Sequence, residues 1–308
     1  MSFDGLIGNN KTKEILTTSV KSKNILHSYM FYGTEGIGKK LFAIEFSKMI
    51  LCESDENQPC NNCKSCIEFS SSNNPDFSII EPDNGSIKIE QIRSLQRKII
   101  EKPVNGSKKI YIINDADKMT KEAQNCLLKT LEEPQSFVVI ILICSNENAI
   151  LATVKSRCTK IYFQEQSSSD IYKFIMEKNP TTNIDQNMLE LCGGSIKKAI
   201  EISEKEEKLK QIKNIVDSIE KVDKLKFISE SEFFSNNKDD INLLLEYIYV
   251  LLFKGINKNN INSTVNSMSY IEEAKSKLNH SNNYDMTIDN MLIKIWEEFN
   301  EKNNRSQV

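Results

Sequence analysis

Histidine is almost missing from this chain, with two in 308 residues, and His27 has no second histidine near it, which argues against a metal-ligand role. Long apolar runs are missing too. The most apolar window, Ile241 to Phe253, contains Glu246 and is too short to cross a bilayer, so it predicts a buried helix and no membrane partner. The start, Met1-Ser2-Phe3-Asp4-Gly5, lacks the basic-then-apolar order of a signal peptide, which predicts a cytoplasmic protein. Excess positive charge is absent: a net charge of −3 excludes a whole-surface nucleic-acid binder and leaves room only for a local basic face. A hydrophobic share of 39% in 308 residues suffices for a sizeable core divided into two or three domains.

The first positive signal is Tyr29-Met30-Phe31-Tyr32-Gly33-Thr34-Glu35-Gly36-Ile37-Gly38-Lys39-Lys40, a buried strand, a glycine loop and a helix start. Gly33, Gly36 and Gly38 can take the positive φ angles that turn successive amides towards an anion, and Lys39 has the place of the lysine that meets terminal phosphates. Lys40 departs from the pattern. A Ser or Thr hydroxyl normally helps hold Mg²⁺ there, and an ammonium group cannot ligate a cation.

The run Lys109-Ile110-Tyr111-Ile112-Ile113-Asn114-Asp115 has the form of a second nucleotide-binding motif. Such a strand normally ends in an Asp supporting Mg²⁺, followed by a Glu that orients the attacking water. Asn114 and Asp115 stand there, so the same metal function is weakened twice. Ser145 and Asn146, after the apolar strand Phe137 to Ile143, occupy the end of the sheet that faces a γ-phosphate.

Four of the eight cysteines, Cys52, Cys60, Cys63 and Cys66, fall together, while the others are scattered among apolar segments and read as reduced core residues. Two overlapping C-x-x-C steps and a fourth thiol suit tetrahedral Zn²⁺ in a structural role; a redox pair and an iron–sulfur cluster are the alternatives.

Apolar strands alternate with helices over residues 25 to 163, predicting a parallel sheet covered by helices on both faces. The helices expected along it are Lys11 to Ser22, Lys39 to Leu51, Glu90 to Ile100, and one capped by Thr120 and stopped by Pro134. From Ser86 to Lys109 seven basic residues face two acidic ones, which reads either as a solvated face or as a contact for DNA phosphates or a partner. Gln164 to Asp170 is expected to be a linker. No strand signal follows it, and Ile241 to Phe253 and Ile288 to Phe299 are the clearest helices beyond.

Taken together, His27-Ser28-Tyr29-Met30-Phe31-Tyr32-Gly33, the four-cysteine insert, Leu127-Leu128-Lys129-Thr130-Leu131-Glu132-Glu133-Pro134, Ser156-Arg157-Cys158 and Gly193-Gly194-Ser195-Ile196-Lys197 resemble the AAA+ subunits of bacterial DNA polymerase III clamp loaders, above all the delta-prime branch. The resemblance implies an α/β fold with a five-stranded parallel AAA+ sheet in residues 1–165, bearing the zinc insert at 52–66. A small helical lid at 166–207 and a helical collar at 208–308 would follow. It also implies a hetero-pentamer with gamma/tau and delta subunits that uses ATP to open a sliding clamp and place it on primer–template DNA. Arg157 would be an arginine finger reaching a neighbour's ATP, with Ser145 at the first sensor position and Lys197 at the second, where arginine is more usual.

The motor subunits gamma and tau keep a hydroxyl after the loop lysine and an Asp-Glu pair in the second motif, so Lys40 and Asn114 favour delta-prime. The expectation is therefore a subunit of the polymerase assembly that does not hydrolyse ATP itself, with nucleotide binding left open. The other readings are an active gamma/tau-type ATPase and a free-standing zinc-dependent DNA-binding protein.

Overall fold

A computed structural model describes residues 3, 5–54, 58–256, 261–278 and 283–305. Residues 55–57 of the expected insert, 257–260 and 279–282 within 254–285, a span rich in asparagine, and 306–308 at the end of the expected collar lie outside the described residues. Two compact units result, Met1–Asp170 with Gly194–Lys197 and Ile171–Gly193 with Lys198–Val308.

In the first unit the chain runs α1 (Asn10–Lys21), β1 (Ser28–Tyr32), α2 (Lys39–Leu51), α3 (Lys64–Ser70), β2 (Phe77–Ile80), α4 (Ile89–Ile99), β3 (Lys109–Ile113), α5 (Lys121–Glu132), β4 (Val138–Cys144), α6 (Ala152–Lys155) and β5 (Thr159–Tyr162). All strand pairs are parallel, in the order β2-β3-β4-β1-β5. The Val-Val-Ile-Ile-Leu-Ile-Cys run of β4 is buried throughout because both of its faces are covered. Val139, Ile141 and Ile143 join Leu16, Phe42 and Phe46 on one side, and Val138, Ile140 and Leu142 join Leu95, Leu127 and Leu131 on the other. This alternation is the physical form of the sheet with helices on both faces that the sequence predicts.

Thr120 caps α5 by accepting the Ala123 N–H at 3.2 Å, and the helix ends at Glu132, short of Pro134. Its stripe of Ala123, Leu127 and Leu131 is buried against the sheet. Truncating Leu127 to alanine is expected to destabilise this layer by about 2–5 kcal/mol.

The basic stretch from Ser86 to Lys109 is not one uniform face. Lys109 is buried, and its Nζ donates to the Lys98 and Glu101 carbonyls at 3.4 and 3.3 Å, with the Glu101 carboxylate 3.6 Å away. It satisfies the carbonyls at the C-terminal end of α4, where a positive charge is favoured. Lys108 donates to the Ser136 carbonyl at 2.8 Å. Lys88, Arg93, Arg97, Lys98 and Lys102 are the exposed members.

The second unit follows with α7 (Ser168–Lys178), α8 (Gln186–Leu191), α9 (Ile196–Glu204), α10 (Glu206–Ser218), α11 (Lys224–Ser229), α12 (Ser231–Ser235), α13 (Ile241–Lys254), α14 (Ile261–Leu278) and α15 (Tyr284–Arg305); the first residues of α7 and α9 belong to the first unit. One cluster of buried side chains runs from Ile171 to Phe299, with Leu244, Leu245 and Tyr247 of α13 fully inside it. The expected stripe Ile288, Met291, Leu292, Ile295 and Phe299 is buried along α15.

One expectation needs correction. The linker ends earlier than Asp170, because α7 already starts at Ser168. The asparagine-rich span holds α14, whose buried side includes Ser263, Thr264 and Ser267 rather than a continuous apolar stripe, so hydrophobic periodicity could not find it. Among the described residues no helix is long and apolar enough to cross a membrane.

Candidate nucleotide loop and metal centre

Strand register gathers one set of candidate residues at a single edge of the sheet. Tyr32 pairs with Cys144 and Ile113 with Leu142, so Gly33, Ser145 and Asn114, each the next residue, leave adjacent strands at their C-terminal ends. Gly33, Gly36 and Gly38 have φ of 146°, 79° and 97°, as expected for a loop that turns its amides inward. A side chain at Gly36 would also strike the Ser195 Oγ at 2.1 Å, because residues 195–197 lie directly against the loop. The Lys197 N–H donates to the Gly36 carbonyl at 3.1 Å, and the Lys197 ammonium pairs with Glu35 at the same distance. Glu165 accepts from the Thr34 hydroxyl at 2.8 Å.

Lys39 is only 5% exposed. Its ammonium donates to the Gly33 and Thr34 carbonyls, both at 2.6 Å, and to the Ser145 hydroxyl at 3.1 Å, which uses all three of its N–H groups. Burial holds its pKa below the ordinary lysine value. The loop thus brings Gly33, Gly36, Gly38, Lys39, Ser145 and Lys197 together.

Of the positions expected to serve the cation and the attacking water, Lys40 and Asp115 have their side chains engaged otherwise. Lys40 forms a 2.6 Å ion pair with Glu81, the residue following β2. Asn114 donates its backbone N–H to the Ile80 carbonyl at 2.9 Å, and Asp115, at φ 49°, pairs with Lys118 at 3.1 Å. A P-loop Mg²⁺ needs hydroxyl and carboxylate oxygens, and this donor set of ammonium, amide and an already paired carboxylate does not fit it. Sequence reasoning passed over Glu81 and Asp117. One Asp117 oxygen accepts the Asn146 N–H at 3.1 Å, tying the second motif to the residue beside Ser145, while the other is buried with no partner among the described residues. Its place two residues past Asp115 was the available signal.

Arg157 is not part of this assembly. Cys158 directly precedes β5, whose Thr159 pairs with Tyr29, so Arg157 sits at the N-terminal end of the strands. The glycine loop leaves the opposite end of β1, a strand length of about 15 Å away. The Arg157 guanidinium donates to the Thr153 carbonyl at 2.8 Å and pairs with Glu132 at 2.8 Å, leaving it 35% exposed.

The second constellation is the cysteine cluster. The Sγ atoms of Cys52, Cys60, Cys63 and Cys66 all lie within 4.8 Å of one another. Tetrahedral Zn–S bonds of about 2.3 Å place sulfurs roughly 3.8 Å apart, so the spacing fits a four-thiolate ion. Backbone N–H groups of Cys60, Cys63 and Cys66 point at the Sγ atoms of Cys52, Cys60 and Cys63, at 3.3, 3.3 and 3.4 Å. Amides of Asn62 and Cys63 bring the Cys60 thiol down to about 6, whereas burial pushes Cys52 and Cys66 up. Partly buried thiols of this kind ionise together only against a cation, and four sulfur donors suit a soft or borderline metal.

Comparison with known proteins adds the following. A family model described as DNA polymerase III, delta subunit, matches residues 8–167. A DNA polymerase III subunit delta' of Bacillus subtilis is 32% identical over 197 residues, covering 64% of this chain and 60% of that one. A DNA polymerase III subunit gamma/tau of Mycoplasma pneumoniae is 28% identical over 207 residues, covering 65% of this chain and 30% of the relative. The match therefore spans less than two thirds of either relative. A Thermotoga maritima structure described as a DNA polymerase III gamma subunit-related protein shares the fold, with a TM-score of 0.55 at 19% identity, over 92% of this chain and 99% of that one.

Proposed function

The chain belongs to the DNA polymerase III delta-subunit family, and from that premise we propose that it is a delta-prime-type clamp-loader subunit that hydrolyses no ATP itself and serves a neighbour's ATP site with Arg157. The observation that carries this reading is the opposite placement of the two halves of an ATPase site. The loop has Lys40 and Asn114 where metal-supporting groups belong, and Arg157 stands at the far end of the same strands. A guanidinium there cannot act on this chain's own loop, and it suits phosphates presented by an adjacent subunit. In trans it would supply fixed positive charge as negative charge moves onto phosphate oxygens during transfer.

Under this reading residues 1–165, 166–207 and 208–308 act as nucleotide-binding-like domain, lid and collar in a hetero-pentamer with gamma/tau and delta subunits. The complex places a sliding clamp on primer–template DNA in the cytoplasm. Cys52, Cys60, Cys63 and Cys66 hold a structural Zn²⁺, which would supply folding energy to the segment after α2 and leave no open coordination position.

A gamma/tau-type active ATPase is the second reading, favoured by the gamma/tau relative and by the intact Gly33, Gly36, Gly38, Lys39 and Ser145. ATP turnover by the purified chain separates the two. The proposed reading requires background turnover alone and entry of the chain into a complex, by mass measurement, when loader subunits are added. Mg²⁺-dependent turnover of ~1 s⁻¹, typical of working enzymes, would establish the second reading instead.

A further inference from the structure

We propose that the four-cysteine knuckle is the positioning element for the loop between α4 and β3, so that metal in the knuckle sets the backbone of Val104 and Asn105. The inference rests on the cluster being a metal site. Its basis is a continuous chain of hydrogen bonds between two segments about forty residues apart in sequence.

The chain starts on α3. That helix has seven residues and carries Cys66; its N-terminal cap is Cys63, whose Sγ accepts the Cys66 N–H. A helix this short does not persist by propensity alone, so its order depends on tertiary anchors: the cysteines at its N-terminal end and the Phe69–Phe77 ring contact, 4.5 Å between centroids, at the other. Ser65, between those two cysteines, donates its N–H to Glu53 at 3.2 Å, the residue after Cys52. The Ser65 carbonyl and hydroxyl accept both amide protons of Asn74, at 3.1 and 3.0 Å, and Asn74 is only 7% exposed.

From Asn74 the connection passes to Asp76, whose N–H donates to the Asn74 Oδ1 at 2.9 Å. Asp76 is 1% exposed, and its carboxylate accepts the Val104 N–H at 2.8 and 3.0 Å and the Asn105 N–H at 2.8 Å. Two successive backbone amides converge on this one buried carboxyl group, which makes it the principal hold on the loop. A second arm is shorter: the Asn105 side-chain amide donates to Glu68, two residues past Cys66.

Apolar burial does not hold this loop, since Val104 is 69% exposed and Ile100, at the end of α4, 76%. Polar groups hold it: at its ends Lys109 donates to the Glu101 carbonyl and Lys108 to the Ser136 carbonyl, and between them Asp76, together with Glu68 of α3, holds Val104 and Asn105. The sheet is fixed independently: Ile110 donates its N–H to the Asp76 carbonyl at 2.8 Å, a bond that does not involve the knuckle. Loss of metal is therefore expected to remove the knuckle-side support of Val104 and Asn105, which runs through Asn74 to the Asp76 carboxylate and through Glu68, while the Ile110 bond keeps β2 and β3 paired.

Amide hydrogen exchange on the full chain tests this, with metal content measured on the same sample. Chelation is expected to speed exchange at Val104 and Asn105 by ~tenfold or more while β3 and β4 amides keep their protection. Glu68→Ala leaves all four cysteines in place; it should retain the metal yet accelerate exchange at Asn105, and Glu68→Gln, which keeps an acceptor oxygen, should restore protection. Unchanged exchange at Val104 and Asn105 after verified metal loss would overturn the proposal while leaving the metal reading intact. So would equal loss of protection in β3 and β4, which is global unfolding. A chain that holds no metal as purified would overturn both.

Discussion

The Ser28 hydroxyl donates to the backbone carbonyl of Arg157 at 2.6 Å, fixing the arginine's segment to the first residue of β1. Lys39 is the first residue of α2, directly after the loop that leaves the last residue of the same strand. One five-residue strand thus separates the Arg157 and Lys39 charges, and its stiffness keeps them apart.

Arg157→Ala is expected to leave folding and metal content intact. The lost pair with Glu132 is a partly exposed one, worth about 0.2–1 kcal/mol, so the melting temperature should barely move. In a reconstituted loader the DNA-stimulated ATPase should fall, by up to the order of 10³–10⁵ at a site that depends wholly on this finger. Arg157→Lys should recover little, because a point charge lacks the guanidinium fork. Single-turnover hydrolysis equal to wild type at every site of the Arg157→Ala complex would remove the trans-acting role.

The isolated chain is expected to hydrolyse ATP at background rate whether Mg²⁺ is present or chelated. Lys40→Thr together with Asn114→Asp restores a hydroxyl and a carboxylate and releases Glu81 from its ion pair. Nucleotide binding by that double variant, followed by fluorescence, should become Mg²⁺-dependent. A wild-type affinity that itself rises with Mg²⁺ would contradict the poor fit of this site to the cation.

Elemental analysis is expected to find close to one Zn per chain, bound by Cys52, Cys60, Cys63 and Cys66. Cys63→Ser should release it. The parallel sheet should remain folded, since its two buried layers contain none of these four sulfurs. Visible absorbance from iron would replace zinc in this assignment, and two free C-x-x-C pairs would end it.

Acid sensitivity of the second unit should depend on Asp185. Burial pulls its carboxyl upward, but the Lys213 ammonium at 2.8 Å and the Met188 N–H outweigh this and hold it below the ordinary value of 3.8. A depressed carboxyl contributes stability that is fully present above the unfolded pKa and is lost as pH falls through the folded one. Thermal melts between about pH 5 and pH 2 should thus show a smaller decline for Asp185→Asn than for wild type. Equal slopes would show that other carboxylates set the acid limb.

Local chemistry made the first unit legible from sequence. Three glycines before Lys39, the Val- and Ile-rich β4, Thr120 and Pro134 around α5, and cysteines three residues apart each act on their nearest neighbours, so their meaning survives without the fold. The helix α14 was not legible, because it buries serines and threonine whose polarity erases the apolar stripe. Lys109 was misread for a related reason: only the packed structure shows the α4 carbonyls that let a lysine be buried.

The sequence by itself determined the phosphate-loop scaffold, the loss of a hydroxyl after its lysine and the thiol set of the knuckle, since these are matters of residue type and spacing. Tertiary structure alone decided where they stand. Strand register, set by ladders between residues more than a hundred positions apart, puts Ser145 against Lys39 and sends Arg157 to the other end of the sheet. Partners were decided in the same way. Glu81 meets Lys40, Asp117 meets Asn146 and Asp76 meets Val104 because packing of whole elements, which no local pattern encodes, brings their polar atoms within hydrogen-bond reach.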